Sequence, residues 1–175
     1  VELASVERLA AAQLGILTLE AYQNVMVATD GDITRVNSTL RARLKDGMDE
    51  AMRSGEDLPI ALGRLRAERD DALAGYRRAT GNIDVLVAPV LQRPPPTVES
   101  ALTDYRWMPN LTRPFNASHQ PVISVPCGWT AAGLPVGLQI VAPKYRERTA
   151  IRVAYTFAQS QHAPERRWPD LFLEN

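Results

Sequence analysis

The stretch that decides the fold is PVISVPCGWTAAGLPVGLQIVAP, residues 121–143, in which two apolar runs flank a short polar segment. The runs PVISVPCGW and PVGLQIVAP predict two strands, and TAAGLP between them predicts the turn of an antiparallel hairpin. Proline cannot donate a hydrogen bond to a neighbouring strand. We therefore expect the first strand to end, to bulge or to lie at a sheet edge near Pro126.

Sequence on both sides of the hairpin predicts a third strand and a closing helix. The run IDVLVAPV, residues 83–90, is short, rich in β-branched residues and closed by proline, which is typical of a buried strand. The LQRPPPTVES that follows predicts an extended, polyproline-like connection, and residues 101–113 show no clean period. A helix is predicted over residues 146–161, with a buried side formed by Ala150, Val153, Ala154, Phe157 and Ala158.

The first part of the chain has a helical pattern. Apolar residues at steps of three and four predict an amphipathic helix that ends before Gly31. A second helix is predicted to begin near Asn37 or Ser38, either of which is a good N-cap, and to stop at Gly55. A third is predicted to start after Asp57. Together these patterns predict three helices before the first strand.

The fold class predicted from these elements is α/β. We expect a helical segment at residues 1–82, followed at residues 83–175 by a small mixed sheet and a closing C-terminal helix. Apolar tail residues, Trp168, Leu171 and Phe172, are expected to pack back on the surface. The chain begins at Val1 inside a helical pattern, which suggests the middle of a longer protein.

Composition excludes several classes of function. Twenty basic and twenty acidic residues give no net charge, which argues against nucleic acid or an anionic membrane surface as the main partner. One cysteine cannot form an internal disulfide, and no apolar run approaches the roughly twenty residues of a membrane helix. We therefore expect a cytoplasmic protein.

Cys127 and His119 are the first candidates for catalysis, because a thiolate and a nearby base form a hydrolase site. Eight residues of extended strand would separate them by about 26 Å, so we expect Cys127 to be a buried structural thiol. Two histidines and one cysteine show no metal-ligand spacing. The pair Glu68 and Asp71 lies in a run of alternating charges, which is typical of a solvated, salt-bridged helix face.

Serine chemistry has no recognisable motif in this chain. There is no G-x-S-x-G sequence, and Ser118 and Ser124 lie where local hydrogen bonding is the simpler role. The glycines of GLPVGLQ are wrongly spaced for a phosphate-binding loop. The residues alone therefore indicate no self-contained active site.

A series of motifs near the hairpin resembles the C-terminal segment of the amidase signature family. In that family an asparagine precedes a proline-led strand ending in S-x-P-x-G, and G-L-P-x-G-L-Q follows. The family includes bacterial amidases, the A subunit of glutamyl-tRNA amidotransferase and fatty acid amide hydrolase. The matching positions in this sequence are Asn116, Pro121, Ser124, Pro126, Gly128, Gly133, Leu134, Pro135, Gly137, Leu138 and Gln139.

Two upstream stretches extend the resemblance. IDVLVAPV resembles the family's D-x-L-x-x-P strand through Asp84, Leu86 and Pro89, and LRARLKDG, residues 40–47, resembles an arginine-leucine-glycine helix. The resemblance implies that this chain forms part of the amidase signature fold, with its strands in the central mixed sheet.

The family's catalytic residues are a lysine, a serine joined by a cis peptide bond and a nucleophilic serine, all in the N-terminal half of a longer chain. This sequence has no G-G-S-S-G run, and Lys45 and Lys144 are its only lysines. The resemblance therefore implies no catalytic residue, cofactor or metal in this chain. It also implies that the loop before the hairpin, with Asn116 and His119, lines the substrate cleft; many relatives carry glycine in place of His119.

Three hypotheses for the function follow. The first is the C-terminal part of an amidase-family hydrolase that cleaves carboxylic amides with a serine located in an absent N-terminal half. The second is a non-catalytic subunit or interaction module that binds a partner chain through an exposed sheet edge. The third and weakest is a free-standing thiol hydrolase that uses Cys127 and His119.

The expected partners follow from the first hypothesis. They are the missing catalytic N-terminal half and, in the intact enzyme, a small amide substrate. Apolar strand faces left bare by the missing half also predict self-association of this chain. Neither nucleic acid nor a membrane is expected as a partner.

Overall fold

The computed structural model describes residues 4–53, 55–101 and 103–160. It divides into two compact units, one up to Asn82 and the other from Ile83 onward. The first unit is helical and the second carries the sheet. The predicted C-terminal tail, including Trp168, Leu171 and Phe172, lies outside the described residues.

Three helices form the first unit: α1 (Ala4–Ala28), α2 (Ser38–Ala51) and α3 (Leu58–Thr80). The predicted helix starts are confirmed. Asn37, one of the two N-cap candidates, accepts a hydrogen bond from the Leu40 N–H, and the Asp57 side chain caps α3 by accepting one from the Ile60 N–H. A turn with Gly31 at a φ of 85° follows α1, and a short 3₁₀ turn (Ile33–Arg35) precedes α2.

The helix α1 packs against both α2 and α3. Between them lies an apolar cluster formed by Ile16, Leu19, Ala51, Ala61, Leu62 and Leu65. The backbone of α2 approaches α1 so closely at Gly47 that a Cβ atom there would collide with the Thr18 side chain. The glycine of the LRARLKDG stretch is therefore required by helix packing.

The connection between α2 and α3 is fixed by one arginine. Arg64 donates to both carboxylate oxygens of Glu56 at 2.8 Å, and to the carbonyl oxygen of Ala51 at 2.7 Å. The hydrogen bond from Arg64, followed by one from the Arg53 N–H, lowers the pKa of Glu56 to about 2. The sequence predicted that α2 would reach Gly55, but α2 ends at Ala51, whose carbonyl is bonded by this distant side chain.

The sheet of the second unit has the order β1-β3-β2 among its described strands, namely β1 (Leu86–Pro89), β2 (Val122–Trp129) and β3 (Pro135–Val141). The predicted hairpin is confirmed, and both strand pairs are antiparallel where the sequence predicted a mixed sheet. The register shifts after Pro126, so Cys127 forms a bulge in an outer strand, as its neighbouring proline predicted.

Shorter elements connect these strands. After β1 come α4 (Val98–Ala101), a 3₁₀ turn (Met108–Leu111) and α5 (Arg113–Ser118). The closing helix, α6 (Glu147–Ser160), packs against β2 and β3 and buries Ala150 and Ala154. Ala158 is exposed, so its predicted burial is wrong. The α/β class is confirmed.

Candidate functional site

The segment before the hairpin forms a helix where the resemblance placed a loop. Pro114 lies in the first turn of α5, a position where its missing N–H costs nothing. Four residues of α5 are buried, namely Pro114, Phe115, Ala117 and Ser118. Asn116 is exposed. It therefore lies on a helix rather than in an irregular loop, and six residues are too few for a helical period to be visible in the sequence.

His119 ends α5 in the left-handed conformation, with φ 55° and ψ 36°. Its N–H donates to the Asn116 carbonyl, and the Gln120 N–H donates to the Phe115 carbonyl at 3.2 Å. This pair of bonds is the Schellman arrangement, in which glycine is usual at the position of His119. The geometry explains why glycine suits this position, and it leaves the imidazole exposed beside Asn116.

Side chains of Ser118 and Gln120 join the end of α5 to the sheet. The Ser118 hydroxyl donates to Gln120 Oε1 at 2.9 Å, and Gln120 Nε2 donates to the Ala142 carbonyl at 3.1 Å. The Ala142 N–H in turn donates to the Pro121 carbonyl at 3.1 Å. The predicted local role of Ser118 is confirmed by these contacts.

Gln139 joins the 3₁₀ turn that precedes α5 to the same strand. It lies in β3 with 1% of its surface exposed. Its Nε2 donates to the Leu111 carbonyl at 2.8 Å and to the Pro89 carbonyl at 3.0 Å. Its Oε1 is buried and has no hydrogen-bond partner among the described residues. The sequence placed Gln139 in a family motif without indicating this role.

Arg113 supplies the positive charge of this region. Burial lowers the pKa of its guanidinium, which remains a cation at neutral pH. Its Nη1 lies 3.4 Å from Asn110 Oδ1, and no carboxylate in the described part of the chain forms an ion pair with it. The seven residues from Arg113 to His119 thus contain a cation (Arg113), an amide (Asn116) and an imidazole (His119).

The structure does not bring Cys127 and His119 together. The two residues are separated by most of the extended strand β2, which rises about 3.3 Å per residue. Cys127 is half-buried rather than buried as predicted, in a strand with no fully buried residue, and its thiol donates to the Val136 carbonyl at 3.4 Å. A thiol hydrolase site formed by these two residues is therefore unsupported.

The described residues also form neither an acid–base pair nor a metal site. Glu68 pairs with Arg53 and Arg64, and Asp71 pairs with Arg8, so these carboxylates belong to ion pairs as predicted. No group of three or more His, Cys, Asp or Glu side chains in residues 4–53, 55–101 and 103–160 could hold a metal ion. Over the same residues, no helix is both long enough and apolar enough to cross a membrane.

Comparison with solved structures shows that this fold is shared with parts of longer proteins of known structure. Over the whole chain, the structure matches 28% of a variant of Kluyveromyces lactis allophanate hydrolase with a TM-score of 0.76 at 18% sequence identity. It also matches 35% of the 6-aminohexanoate cyclic dimer hydrolase chain, covering 90% of this chain with a TM-score of 0.67 at 22% identity.

Sequence comparison names the family. The family model described as Amidase matches residues 1–151, so the chain belongs to the amidase family. Over 100 residues it is 38% identical to the A subunit of the glutamyl-tRNA(Gln) amidotransferase of Methanosarcina mazei, a match covering 55% of this chain and 21% of the relative. An acylamidase of Rhodococcus erythropolis is 35% identical over 127 residues, 67% of this chain and 27% of the relative. The chain thus spans about a quarter of the length of these relatives.

Proposed function

We propose that this chain is the C-terminal part of a cytoplasmic amide hydrolase whose nucleophilic serine lies in a preceding catalytic half. The family match over residues 1–151 is the observation that carries the proposal. The chain has no G-G-S-S-G run, and it spans only 21% and 27% of two relatives whose names state amidotransferase and acylamidase activities. Both observations support the proposal that the residues that attack the amide lie outside this chain.

The reaction proposed for the complete protein is acyl transfer. The serine oxygen attacks the amide carbonyl, the C–N bond breaks, and ammonia or an amine leaves with a proton. Water then hydrolyses the acyl-enzyme ester and releases the carboxylic acid and the free serine. Neither half-reaction requires a cofactor.

The contribution proposed for this chain is binding of a small amide substrate by the exposed side of α5. Asn116 offers an amide that both donates and accepts hydrogen bonds, and His119 offers an imidazole that can do the same when neutral. Both side chains are exposed, whereas their neighbours on α5 are buried. The backbone N–H of His119 donates to the Asn116 carbonyl, so the two residues lie within the last turn of the helix.

The test compares this chain alone with a longer product that includes the sequence encoded upstream. We expect the longer product to hydrolyse simple amides and to lose turnover when the serine of its glycine-serine motif is replaced by alanine. The 175-residue chain alone should give no turnover. Turnover by the chain alone that disappears in Cys127→Ala would instead establish the thiol hydrolase.

A second candidate function, a module that binds a partner chain, is favoured by the outer strands of the described sheet. β1 and β2 each have one neighbour, and Val87 and Val122 on them are 54% and 40% exposed. The same surface supports the proposal that the isolated chain self-associates. Sedimentation equilibrium should then give a mass that increases with concentration, and a monomer at every concentration would contradict this proposal.

A further inference from the structure

The position of α5 depends on contacts at its two ends. A helix of six residues is too short to be stable alone, because nucleation fixes several residues before propagation compensates for their lost entropy. The buried side chains of α5 provide apolar contact, which is not directional. Directional side-chain contacts come from two glutamines, one bonded to the segment before the helix and one in the segment after it.

Gln139 provides the side-chain contact on the N-terminal side of α5, with the 3₁₀ turn that ends at Leu111. Both partners of its Nε2 are backbone carbonyl oxygens, Leu111 at 2.8 Å and Pro89 at 3.0 Å. Only the NH₂ end of an amide can donate to two carbonyls, so these contacts fix the orientation of the group. Its Oε1 is enclosed and unbonded among the described residues, so the two N–H bonds are what the side chain contributes.

Gln120 provides the side-chain contact on the C-terminal side of α5. Its Nε2 donates to the Ala142 carbonyl at 3.1 Å, and its Oε1 accepts from the Ser118 hydroxyl at 2.9 Å. Ala142 directly follows β3, and Gln139 lies within β3. The segments on either side of α5, at Leu111 and Gln120, are thus bonded to the central strand of the described sheet or to its immediate continuation.

We propose that Gln120 and Gln139 form a glutamine clamp that positions α5, and with it Asn116 and His119, for substrate binding. This inference rests on the proposed function for the substrate contact, but the clamp itself is defined by the hydrogen bonds above. Gln120 and Gln139 are positioning residues, because they act through α5 and not on the substrate. Loss of either glutamine removes a side-chain contact that fixes the position of α5, and displacement of a binding group by about 1 Å can weaken productive binding strongly.

The test uses the complete protein that carries this chain, with Gln139→Met, Gln120→Met and the control Gln159→Met. Methionine keeps the length of the side chain and removes its hydrogen bonds, and Gln159 is an exposed glutamine of α6. Hydrogen exchange is measured by mass spectrometry on peptides covering residues 111–120 and on peptides from α6. Amide hydrolysis is measured as separate kcat and KM values.

We expect exchange in residues 111–120 to accelerate about tenfold in both clamp variants, the factor expected for one lost hydrogen bond, while α6 stays protected. KM should rise about fivefold or more with kcat within about twofold, since the catalytic groups lie elsewhere. Gln159→Met should change neither quantity.

Three results would overturn the clamp. They are unchanged exchange in residues 111–120, exchange that rises equally in α6, and faster local exchange with an unchanged KM. If the unmodified complete protein hydrolyses no amide, the proposed function fails instead, and the exchange data alone then decide whether Gln120 and Gln139 hold α5.

Discussion

The helical unit and the α5 segment are held together by different interactions. In the helical unit, apolar side chains of α1, α2 and α3 form a continuous cluster. The α5 segment has a few buried residues and is joined to the sheet by amide hydrogen bonds from Gln120 and Gln139. The helical unit should therefore lose stability when apolar volume changes, whereas α5 should respond to loss of single polar contacts.

The largest effect is expected from Leu19→Ala in the apolar cluster. Leu19 has no exposed surface, so its truncation leaves a cavity between the helices and should destabilise the helical unit by about 2–5 kcal/mol. Urea denaturation followed by circular dichroism measures the change. The control is Leu17→Ala on the same helix, where the side chain is 56% exposed and the loss should be small. Equal losses at the two positions would contradict the apolar account of this unit.

A second prediction concerns the close approach of α1 and α2. Gly47→Ala should destabilise by about 1–3 kcal/mol, because its Cβ would collide with Thr18. Gly63→Ala is the matched control, since a Cβ on Gly63 meets nothing within 4 Å and alanine favours a helix by up to about 1 kcal/mol. Thermal melting of both variants should therefore give changes of opposite sign. Changes of the same sign would show that helix packing does not determine the residue at position 47.

The ion pair at the α2–α3 connection predicts a pH dependence. The folded pKa of Glu56 is lowered to about 2, below its ordinary value of 4.5. Its stabilising contribution is therefore fully present above the unfolded pKa and is lost as pH falls through the folded value. The difference in unfolding free energy between the wild type and Glu56→Gln should shrink as pH falls from about 5 to about 2.

Asp71→Asn is the control for this titration. The side chains of Asp71 and Arg8 are 66% and 59% exposed, so their ion pair contributes little at any pH. Denaturation at several pH values measures both variants. A Glu56→Gln difference that stays constant between about pH 5 and about pH 2 would refute the role assigned to the Arg64–Glu56 contact.

The smallest effect is expected at the end of α5. His119→Gly should raise stability by about 0.5–1 kcal/mol, because glycine adopts the left-handed conformation with little strain. If His119 binds substrate, the same change should raise KM in the complete protein. Thermal melting thus measures the backbone strain at His119, and kinetics measures its contribution to substrate binding. A lower melting temperature would show that the imidazole makes a stabilising contact.

Helix starts could be predicted because their signals are local. The Asn37 and Asp57 side chains accept hydrogen bonds from N–H groups three residues away. The end of α2 was predicted too late because Arg64 bonds the Ala51 carbonyl from 13 residues away. No local pattern indicates a contact of that kind.

The candidate site was less predictable, because it too depends on contacts between residues that are distant along the chain. Asn116 came from a family motif and His119 from a departure beside it, and their binding role stays a prediction. The roles of Gln120 and Gln139 depend on carbonyl groups 22, 28 and 50 residues distant along the chain. The one signal in the sequence was a glutamine inside an apolar strand, where a buried amide needs hydrogen-bond partners.

The strand order also has a consequence for synthesis on the ribosome. The middle strand, β3, is the last of the three to be made, and Leu86 of β1 pairs with Val141. Until β3 has emerged, neither β1 nor β2 has the neighbour with which it pairs in the described sheet. Pairing of such distant segments is slow, and unpaired strands are prone to aggregation. The nascent chain therefore carries β1 without its partner from the completion of Pro89 until β3 emerges, and over this interval a chaperone would have the greatest effect on yield.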